Sequence, residues 1–204
     1  GGIVMGHVIK LIGRTILSMC SVVFGGVLNM LFVKTPLYRK LKRPIDGGRN
    51  WRDGRRVFGD NKTFAGLAGM TLGTMISQVV LGALLKVTGL SHLSDVYRRH
   101  ENTVRYNALA GGLFGFTYAL FELPNSFAKR RVDIRPGMTT KKKGLIGKLF
   151  FVIDQIDSMF GVMLVLALLS PIGILRYFGY IALGGVIHIL TNLGMIKAGI
   201  RKNL

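Results

Sequence analysis

Four stretches of this sequence run for 16 to 23 residues without a single Asp, Glu, Lys or Arg, and they constrain the fold more than any other feature. A helix needs about 20 mainly apolar residues to cross the hydrocarbon core of a bilayer. A fifth stretch is equally apolar except for Asp154 and Asp157. We therefore predict an all-α integral membrane protein with about five transmembrane helices in a single membrane domain, residues 1–204. The predicted spans are about 15–33, 63–85, 106–121, 149–169 and 177–196.

The basic residues predict how these spans are oriented. The chain carries 28 Lys and Arg against 9 Asp and Glu, a net charge of +19. Of the basic residues, 21 lie in segments 34–62, 122–148 and 197–204, and 7 lie elsewhere. Lys and Arg near helix ends are retained on the cytoplasmic side of a membrane. The bias predicts a multi-pass protein of the cell membrane with basic cytoplasmic loops, its N-terminus outside and its C-terminus inside.

Cysteine and glycine usage narrows the possibilities further. Cys20 is the only cysteine, which excludes an internal disulfide framework and a multi-cysteine metal site. Glycine is abundant, and it recurs four positions apart as Gly69 and Gly73 and as Gly111 and Gly115. Because this spacing lets membrane helices approach closely, we predict that these glycines lie at contacts between helices.

Two carboxylates inside a predicted span are the strongest sign of chemistry. Each carboxylate near the middle of a membrane costs about 2.5 to 3.5 kcal/mol on insertion scales, so Asp154 and Asp157 need a compensating partner. Three positions apart on a helix, they face the same side, and a divalent cation would keep both ionised. The alternative is a pair of interfacial carboxylates in salt bridges to the nearby Lys141, Lys142 or Lys143.

A polar segment that precedes the 63–85 span is the second candidate. It ends with Lys62 and Thr63, where a helix would begin. The first turn of a helix offers N–H groups to an anion, and Arg55 and Arg56 supply forked donors for the same anion. These four residues are predicted to bind phosphate. The alternative is a solvated basic loop that serves membrane orientation alone.

A third cluster follows the 106–121 span and contains Ser126, Lys129, Arg130 and Arg131. These cations and the Asp pair flank one short loop, so they are predicted to bracket one site. Carboxylates that hold metal ions, with Lys and Arg on the outer oxygens, are what a metal-bound polyphosphate requires. Nucleic acid is excluded as a partner, because Trp51 is the only tryptophan and the basic loops have no pattern of aromatic side chains for base stacking.

Two isolated polar residues have more than one interpretation. His188 lies four residues before Asn192 in the last span, a spacing that favours a hydrogen bond between helices over a ligand role. Glu122, at the inner end of the third span, either lines a polar cavity or lies at the membrane interface.

Several of these motifs, in this order and between these spans, closely resemble the CDP-archaeol synthase family. The resemblance covers the chain from about Asn29 to its end. The second half, Ser-x-x-Lys-Arg followed by Asp-x-x-Asp, is also similar to the signature of bacterial phosphatidate cytidylyltransferases. The matching motifs are Asp53-Gly54-Arg55-Arg56, Gly59-Asp60-x-Lys62-Thr63-x-x-Gly66, Ser126-Phe127-x-Lys129-Arg130-Arg131, Pro136-Gly137 and Asp154-Gln155-x-Asp157.

The resemblance implies a Mg²⁺-dependent nucleotidyltransferase with five transmembrane helices and its site at the cytoplasmic face. It would use CTP to convert a polyprenyl or acyl glycerol phosphate in the bilayer, expected to be an unsaturated archaeal ether lipid, into its CDP-activated form and release pyrophosphate. Asp154 and Asp157 would hold the metal and act in catalysis with Lys129. The implied CTP-binding and phosphate-binding residues are Asp53, Gly54, Arg55, Arg56, Lys62, Thr63, Ser126, Lys129, Arg130 and Arg131.

The expected reaction is an in-line attack by a lipid phosphate oxygen on the α-phosphorus of CTP. Because the second pKa of a phosphomonoester is near 6, the nucleophile is already charged and needs no general base. A CDP-alcohol phosphotransferase is the alternative enzyme, although its two aspartates lie four positions apart and these lie three apart. The alternative that is not an enzyme is a small-ion transporter whose Asp pair binds the translocated ion.

Overall fold

The structure is a computed structural model that describes residues 2–138 and 144–199, with the backbone alone for residues 2–4, 7, 8 and 10. In these residues the regular structure is helical, with two short 3-10 turns between the third and fourth α-helices. The α-helices are α1 (Gly2–Val33), α2 (Pro36–Leu41), α3 (Phe64–Val87), α4 (Val104–Arg131), α5 (Leu145–Leu169) and α6 (Ile174–Lys197).

Four of the helices are long and apolar enough to cross a membrane. The candidate spans are Leu11–Val33 of α1, Phe64–Val87 of α3, Leu145–Leu169 of α5 and Ile174–Lys197 of α6. The predicted all-helical membrane architecture is therefore confirmed. The remaining predicted span, 106–121, lies within α4, which is not one of the four because polar residues such as Asn107 and Glu122 lie at the two ends of its apolar stretch.

The outer face of α3 has the character of a lipid-facing surface. Leu72, Ile76, Val80 and Leu84 follow one another at intervals of four and are each more than half exposed. Residues at this spacing form one stripe along a helix. A continuous apolar stripe on the outside of a protein indicates contact with another apolar phase, here the hydrocarbon of the bilayer.

Threonine caps determine where three of the helices begin. Thr35, Thr63 and Thr103 precede α2, α3 and α4, and each side chain accepts a hydrogen bond from the backbone N–H three residues later. This arrangement satisfies one of the N–H groups that a helix start leaves without an intrahelical partner. The cap at Thr63 fixes the start of α3 directly after Lys62.

The glycines spaced by four lie at helix contacts, as predicted. Gly69 and Gly73 of α3 face α1, and Gly111 and Gly115 of α4 face α3. A Cβ atom on Gly115 would lie only 2.5 Å from the carbonyl oxygen of Met70. At Gly73, Gly111 and Gly115 the nearest atoms include the backbone of the neighbouring helix, so α1, α3 and α4 approach one another at backbone distance.

We expect Gly115→Ala to lower the free energy of unfolding by about 1 to 3 kcal/mol, because the added methyl group overpacks this contact. Gly112 is the matched control, since a Cβ there meets no atom within 4 Å. Gly112→Ala should raise stability by up to about 1 kcal/mol through helix propensity. Thermal unfolding of both variants in detergent measures the difference. Equal changes of the unfolding temperature in Gly115→Ala and Gly112→Ala would contradict the packing described here.

A buried network ties the other end of the bundle together. The Asp95 side chain, between α3 and α4, accepts hydrogen bonds from the hydroxyl of Tyr180 in α6 and from Arg98 Nε at 2.5 Å. Its backbone N–H donates to Ser18 Oγ in α1 at 2.9 Å. Since these contacts hold α1 and α6 to the α3–α4 connection at this end, the open space of the bundle lies at the opposite end.

Candidate active site

A cavity of about 860 Å³ lies at the end of the bundle where α3 and α5 begin and where α1, α4 and α6 end. Its polar wall comes from α4, α5 and the residues just before α3, and its apolar wall comes mainly from α1 and α6. Seven of the predicted site residues line it: Lys62, Thr63, Ser126, Lys129, Arg130, Asp154 and Asp157. Segments far apart in the sequence thus meet in one cavity.

The predicted Asp pair lies on α5 and is bridged by a residue of α4. Asn125 Nδ2 donates to Asp154 Oδ1 and to Asp157 Oδ2, both at 2.7 Å. Lys129 Nζ, one turn further along α4, lies 2.5 Å from Asp154 Oδ2. The backbone N–H of Ser158 donates to Asp157 Oδ1 at 2.6 Å. A side-chain amide, an ammonium group and a backbone N–H therefore satisfy the two carboxylates in this structure.

The alternative salt-bridge partners of the Asp pair, Lys141, Lys142 and Lys143, lie outside the described residues. Within the residues described, the cation that pairs with Asp154 is Lys129. The carboxylate of Asp154 is thus paired with a member of the predicted cation cluster. The Ser-x-x-Lys-Arg and Asp-x-x-Asp motifs therefore meet in one network of contacts.

A second carboxylate and ammonium pair lies on the same cavity wall. Lys62, just before α3, donates to Glu122 of α4. Both side chains are mostly buried, with 18% and 28% of their surfaces exposed. Of the two interpretations of Glu122, the structure therefore supports the cavity position. A charged ligand that enters the cavity meets two ammonium groups whose carboxylate partners can be exchanged for it.

Arg130 differs from the two lysines because no carboxylate pairs with it among the described residues. Its side chain lines the cavity, only 6% of the residue is exposed, and Nη1 has no hydrogen-bond partner in this part of the chain. Within the described part of the chain, its guanidinium group makes a long hydrogen bond of 3.4 Å from Nε to the carbonyl of Ser126. A buried cation without a counterion is unfavourable, so this position is suited to an anionic ligand.

The start of α3 is less available to phosphate than the sequence suggested. Thr63 Oγ1 accepts from Gly66 N at 2.9 Å and lies 3.1 Å from the hydroxyl of Tyr38. The N–H of Phe64 donates to the carbonyl of Arg43 at 3.0 Å. Because these groups already have partners, Lys62 is the group at this helix start that can reach a ligand in the cavity.

Five predicted binding residues do not line the cavity. These are Asp53, Gly54, Arg55, Arg56 and Arg131. They lie in and against the loop between α2 and α3, beside the cavity and joined to the end of α4. Their predicted part in CTP binding stays a prediction.

Two ion pairs join this loop to the end of α4 and the residues just after it. The loop contributes the arginine of one pair and the aspartate of the other, and we call the four residues the loop clamp. Arg55 holds both carboxylate oxygens of Asp133 at 2.9 Å, and Arg131 Nη1 lies 3.0 Å from Asp53 Oδ1. Asp133 has a positive φ of 61°, a conformation that disfavours most side chains and is tolerated best by Asn and Asp. The loop clamp fixes Lys62 relative to Lys129, although each pair by itself is too exposed to contribute much stability.

Asp46 organises the interior of the same loop, a function the sequence analysis missed. Its carboxylate accepts from the N–H groups of Gly48, Phe58 and Gly59 at 2.9 to 3.0 Å and from Arg56 at 2.7 Å. Burial by itself would raise the pKa of Asp46, but the bonds from Arg56 and the three N–H groups outweigh it and hold the pKa well below its usual range. An acidic residue followed by two glycines was the available signal, because it is typical of a tight turn around a carboxylate.

We expect Asp46→Asn to destabilise the loop by about 2 kcal/mol. This is less than the 3 to 5 kcal/mol for breaking a fully buried pair, because the Arg56 side chain is 27% exposed. Because the pKa of Asp46 is lower in the folded protein than in the unfolded chain, its carboxylate stabilises the loop fully above the unfolded pKa of about 3.9. This stabilisation is lost as the pH falls below that value. Fluorescence of Trp51, the only tryptophan and itself in this loop, reports both effects.

Asp60→Asn is the control for this prediction. Asp60 pairs with the same Arg56, but its side chain is 62% exposed and the pair is expected to contribute less than about 1 kcal/mol. Equal losses in the two variants would mean that burial of Asp46 does not organise the loop.

His188 makes the predicted contact between helices. Its Nδ1 lies 3.3 Å from the carbonyl oxygen of Gln155 in α5, so α6 is hydrogen-bonded to the turn that lies between the two aspartates. The ring also lines the cavity. The contact holds α6 against the Asp pair.

Known proteins share both the sequence pattern and the fold. A family model described as "CarS-like: CDP-archaeol synthase" matches residues 40–203, a range that contains every predicted site residue. The CDP-archaeol synthase of Methanospirillum hungatei is 31% identical over 166 residues, which cover 78% of this chain and 87% of that protein. The CDP-archaeol synthase of Archaeoglobus fulgidus is 28% identical over 161 residues, 79% of this chain and 81% of that protein.

A similar solved structure is that of an intramembrane enzyme for archaeal membrane lipids biosynthesis. It is 23% identical and superposes with a TM-score of 0.54 over 87% of this chain and 92% of that chain. At this identity the likeness shows a common fold, which agrees with the helical bundle described above.

Proposed function

Because this chain belongs to the CDP-archaeol synthase family, we propose that it transfers the cytidylyl group of CTP to the phosphate of an unsaturated archaeal ether lipid, with release of pyrophosphate. The observation that carries this proposal is the cavity, which combines a carboxylate pair and three cations with an apolar wall. A triphosphate and a lipid phosphate need these two surfaces at one place. Neither the transporter nor the CDP-alcohol phosphotransferase is favoured by the family match.

The bundle is proposed to cross the membrane five times. Glu122 near the end of α4 contacts Lys62 at the start of α3, and Asn107 near the start of α4 contacts Gln78 in the second half of α3. Helix α4 therefore runs antiparallel to α3 along its length, and a neighbour of a spanning helix at this depth spans as well. With the basic segments inside, the N-terminus lies outside and the cavity opens to the cytoplasm.

The lipid chains are proposed to enter the cavity between α1 and α6. Met19 of α1 lies against Gly184 of α6, and beyond the ends of these two helices Lys34 Nζ donates to the carbonyl of Gly199 at 3.3 Å. Between these points the lining includes the apolar residues Val22, Val23, Gly26, Val27, Met30, Ile187 and Met195 of both helices, together with the polar residues Asn29, His188, Thr191 and Asn192. An apolar wall of this kind suits prenyl or acyl chains from the bilayer.

The donor set at the Asp pair fits Mg²⁺. Hard cations of this kind take oxygen ligands and are usually bound by one or two carboxylates plus substrate phosphates. Within the described residues no group of three His, Cys, Asp or Glu side chains is arranged for a metal, so Asp154 and Asp157 would hold the ion together with other oxygens. The bound ion would neutralise charge on the triphosphate.

The side chains of the cavity perform the remaining work by position and charge. Lys62 and Lys129 can exchange their carboxylate partners for phosphate oxygens, and Arg130 supplies a third cation, which has no carboxylate partner among the described residues. The lipid phosphate oxygen forms a bond to the α-phosphorus as the bond to the bridging oxygen breaks, and pyrophosphate leaves with that electron pair. Because the nucleophile is already ionised near neutral pH, the cavity needs no general base.

Pyrophosphate release by the purified protein in detergent tests the proposal. The assay contains CTP and Mg²⁺ with either geranylgeranyl ether phosphate or diacyl phosphatidic acid, and the first lipid is expected to be preferred. Preference for phosphatidic acid would correct the lipid. Absence of release with both lipids, from protein that unfolds cooperatively on heating, would reject the cytidylyltransferase function.

A further inference from the structure

The amide of Asn125 occupies a position between the two aspartates that a cation would otherwise take. Its nitrogen lies 2.7 Å from an oxygen of Asp154 and 2.7 Å from an oxygen of Asp157, so both N–H donors are used on two carboxylates. Two like charges on adjacent turns repel. The polarised NH₂ group is thus the bridge between them in the structure described here.

The other end of the same amide has no partner. Asn125 is 8% exposed, and its Oδ1 is buried without a hydrogen bond among the described residues. A buried acceptor that is left unsatisfied costs free energy. Bridging the two carboxylates uses only the NH₂ end of the amide and does not explain why the oxygen is buried without a donor. The residue that carries this oxygen lines the cavity.

We propose that Asn125 is a ligand of the cation that Asp154 and Asp157 hold, and that its amide turns over when the cation binds. In the form described here the NH₂ end bridges the aspartates; with the cation present, Oδ1 faces the ion. This inference rests on the proposed function, because it requires a metal at the Asp pair. An amide oxygen is a normal ligand for hard cations.

The amide suits both states better than a carboxylate would. An aspartate at position 125 would place three negative charges together whenever the cation is absent, inside an apolar bundle. An alanine or leucine would leave the two aspartates without their bridge. Only a side chain with a donor at one end and an acceptor at the other, exchanged by one torsion, serves the site with and without the ion.

A cysteine at position 125 gives a direct optical test of ligation. Thiolates favour soft cations, and a bond between thiolate sulfur and Cd²⁺ produces an ultraviolet charge-transfer band. We would make Asn125→Cys in a Cys20→Ser background and titrate Cd²⁺ with CTP present and lipid absent, so that no turnover occurs. Ser126→Cys is the matched control, because Ser126 is the next residue of α4, is equally buried and lines the same cavity.

The expected result is one equivalent of the charge-transfer band in Asn125→Cys and none in Ser126→Cys. The affinity for Mn²⁺, measured by electron paramagnetic resonance, should fall at least about tenfold in Asn125→Cys. Asn125→Asp keeps an oxygen and provides a second test: it should bind Mn²⁺ at least as tightly as the unchanged protein and lose thermal stability in a chelator.

Two outcomes separate the failures. Absence of the Cd²⁺ band, with Mn²⁺ bound as tightly as in the unchanged protein, overturns the ligand assignment and leaves the metal at the Asp pair intact. Absence of Mn²⁺ binding to the unchanged protein, or binding that Asp157→Asn does not alter, rejects the metal site on which the inference rests.

Discussion

Asp157→Asn is expected to reduce the rate of pyrophosphate release at saturating CTP by about a thousandfold, which corresponds to about 4 kcal/mol of the activation barrier. The substitution keeps the size of the side chain and removes one of the two negative charges that are proposed to hold the cation. Charge neutralisation at the triphosphate is the main contribution that a metal makes to phosphoryl chemistry, so its loss affects the chemical step more than the fold.

Thermal stability separates this expectation from simple unfolding. In the absence of metal, Asp157→Asn removes one of two neighbouring like charges in an apolar bundle and should unfold at the same temperature as the unchanged protein or higher. Glu101→Gln is the control, because Glu101 is exposed and lies in the connection between α3 and α4, at the other end of the bundle. Activity within tenfold of the unchanged protein in Asp157→Asn would exclude the Asp pair as the metal site.

The helices were predictable because each depends on a property local in the sequence. Charge-free runs of about 20 residues identified α1, α3, α4 and α6, the apolar run that contains the Asp pair identified α5, and glycines spaced by four identified the contacts of α3 with its neighbours. Helix α4 is the least apolar of the five. It is polar at both ends of its apolar stretch because Asn107 bonds to the α3–α4 connection and Glu122 faces the cavity, and these tertiary contacts compensate for the low hydropathy.

The site was predictable only in part, for a related reason. The Asp pair and the cation cluster were identified because charges inside or next to an apolar helix are costly and therefore informative. In the loop between α2 and α3, charge has no such cost, and the sequence does not reveal which opposite charges pair. Arg55 and Arg131, predicted as phosphate ligands, are engaged with Asp133 and Asp53.

Asn125 and Asp46 were missed because their importance comes from position alone. An asparagine after a proline, and an aspartate before two glycines, are common in turns and helix ends. What distinguishes Asn125 is the presence of two aspartates from a helix 29 and 32 residues further along the chain. No local pattern records a contact of that range.

The second large effect is expected for Arg130→Met, and it has opposite signs for binding and stability. The KM for CTP should rise about 100-fold, which corresponds to about 2.8 kcal/mol, because the charge-assisted bond proposed between this buried guanidinium group and a phosphate oxygen is lost. The ligand-free protein should become more stable by about 1 kcal/mol or more, because an apolar side chain of similar length replaces a buried cation that has no counterion in the described residues.

Arg131→Met, at the neighbouring residue, is the control. It should lower the stability of the ligand-free protein, whereas Arg130→Met should raise it. Arg131 is paired with Asp53 and donates to the carbonyl of Arg56 at 2.5 Å, so its loss opens the loop clamp and lowers the unfolding temperature of the ligand-free protein. Thermal unfolding with and without CTP measures both quantities, since a ligand stabilises the folded state in proportion to the logarithm of its concentration over its Kd. If Arg130→Met lowered the unfolding temperature without ligand as Arg131→Met does, Arg130 would have a structural partner. A rise in that temperature together with a lost CTP response would identify Arg130 as a cation that is kept in the apolar bundle, at a cost in stability, for the phosphate it binds.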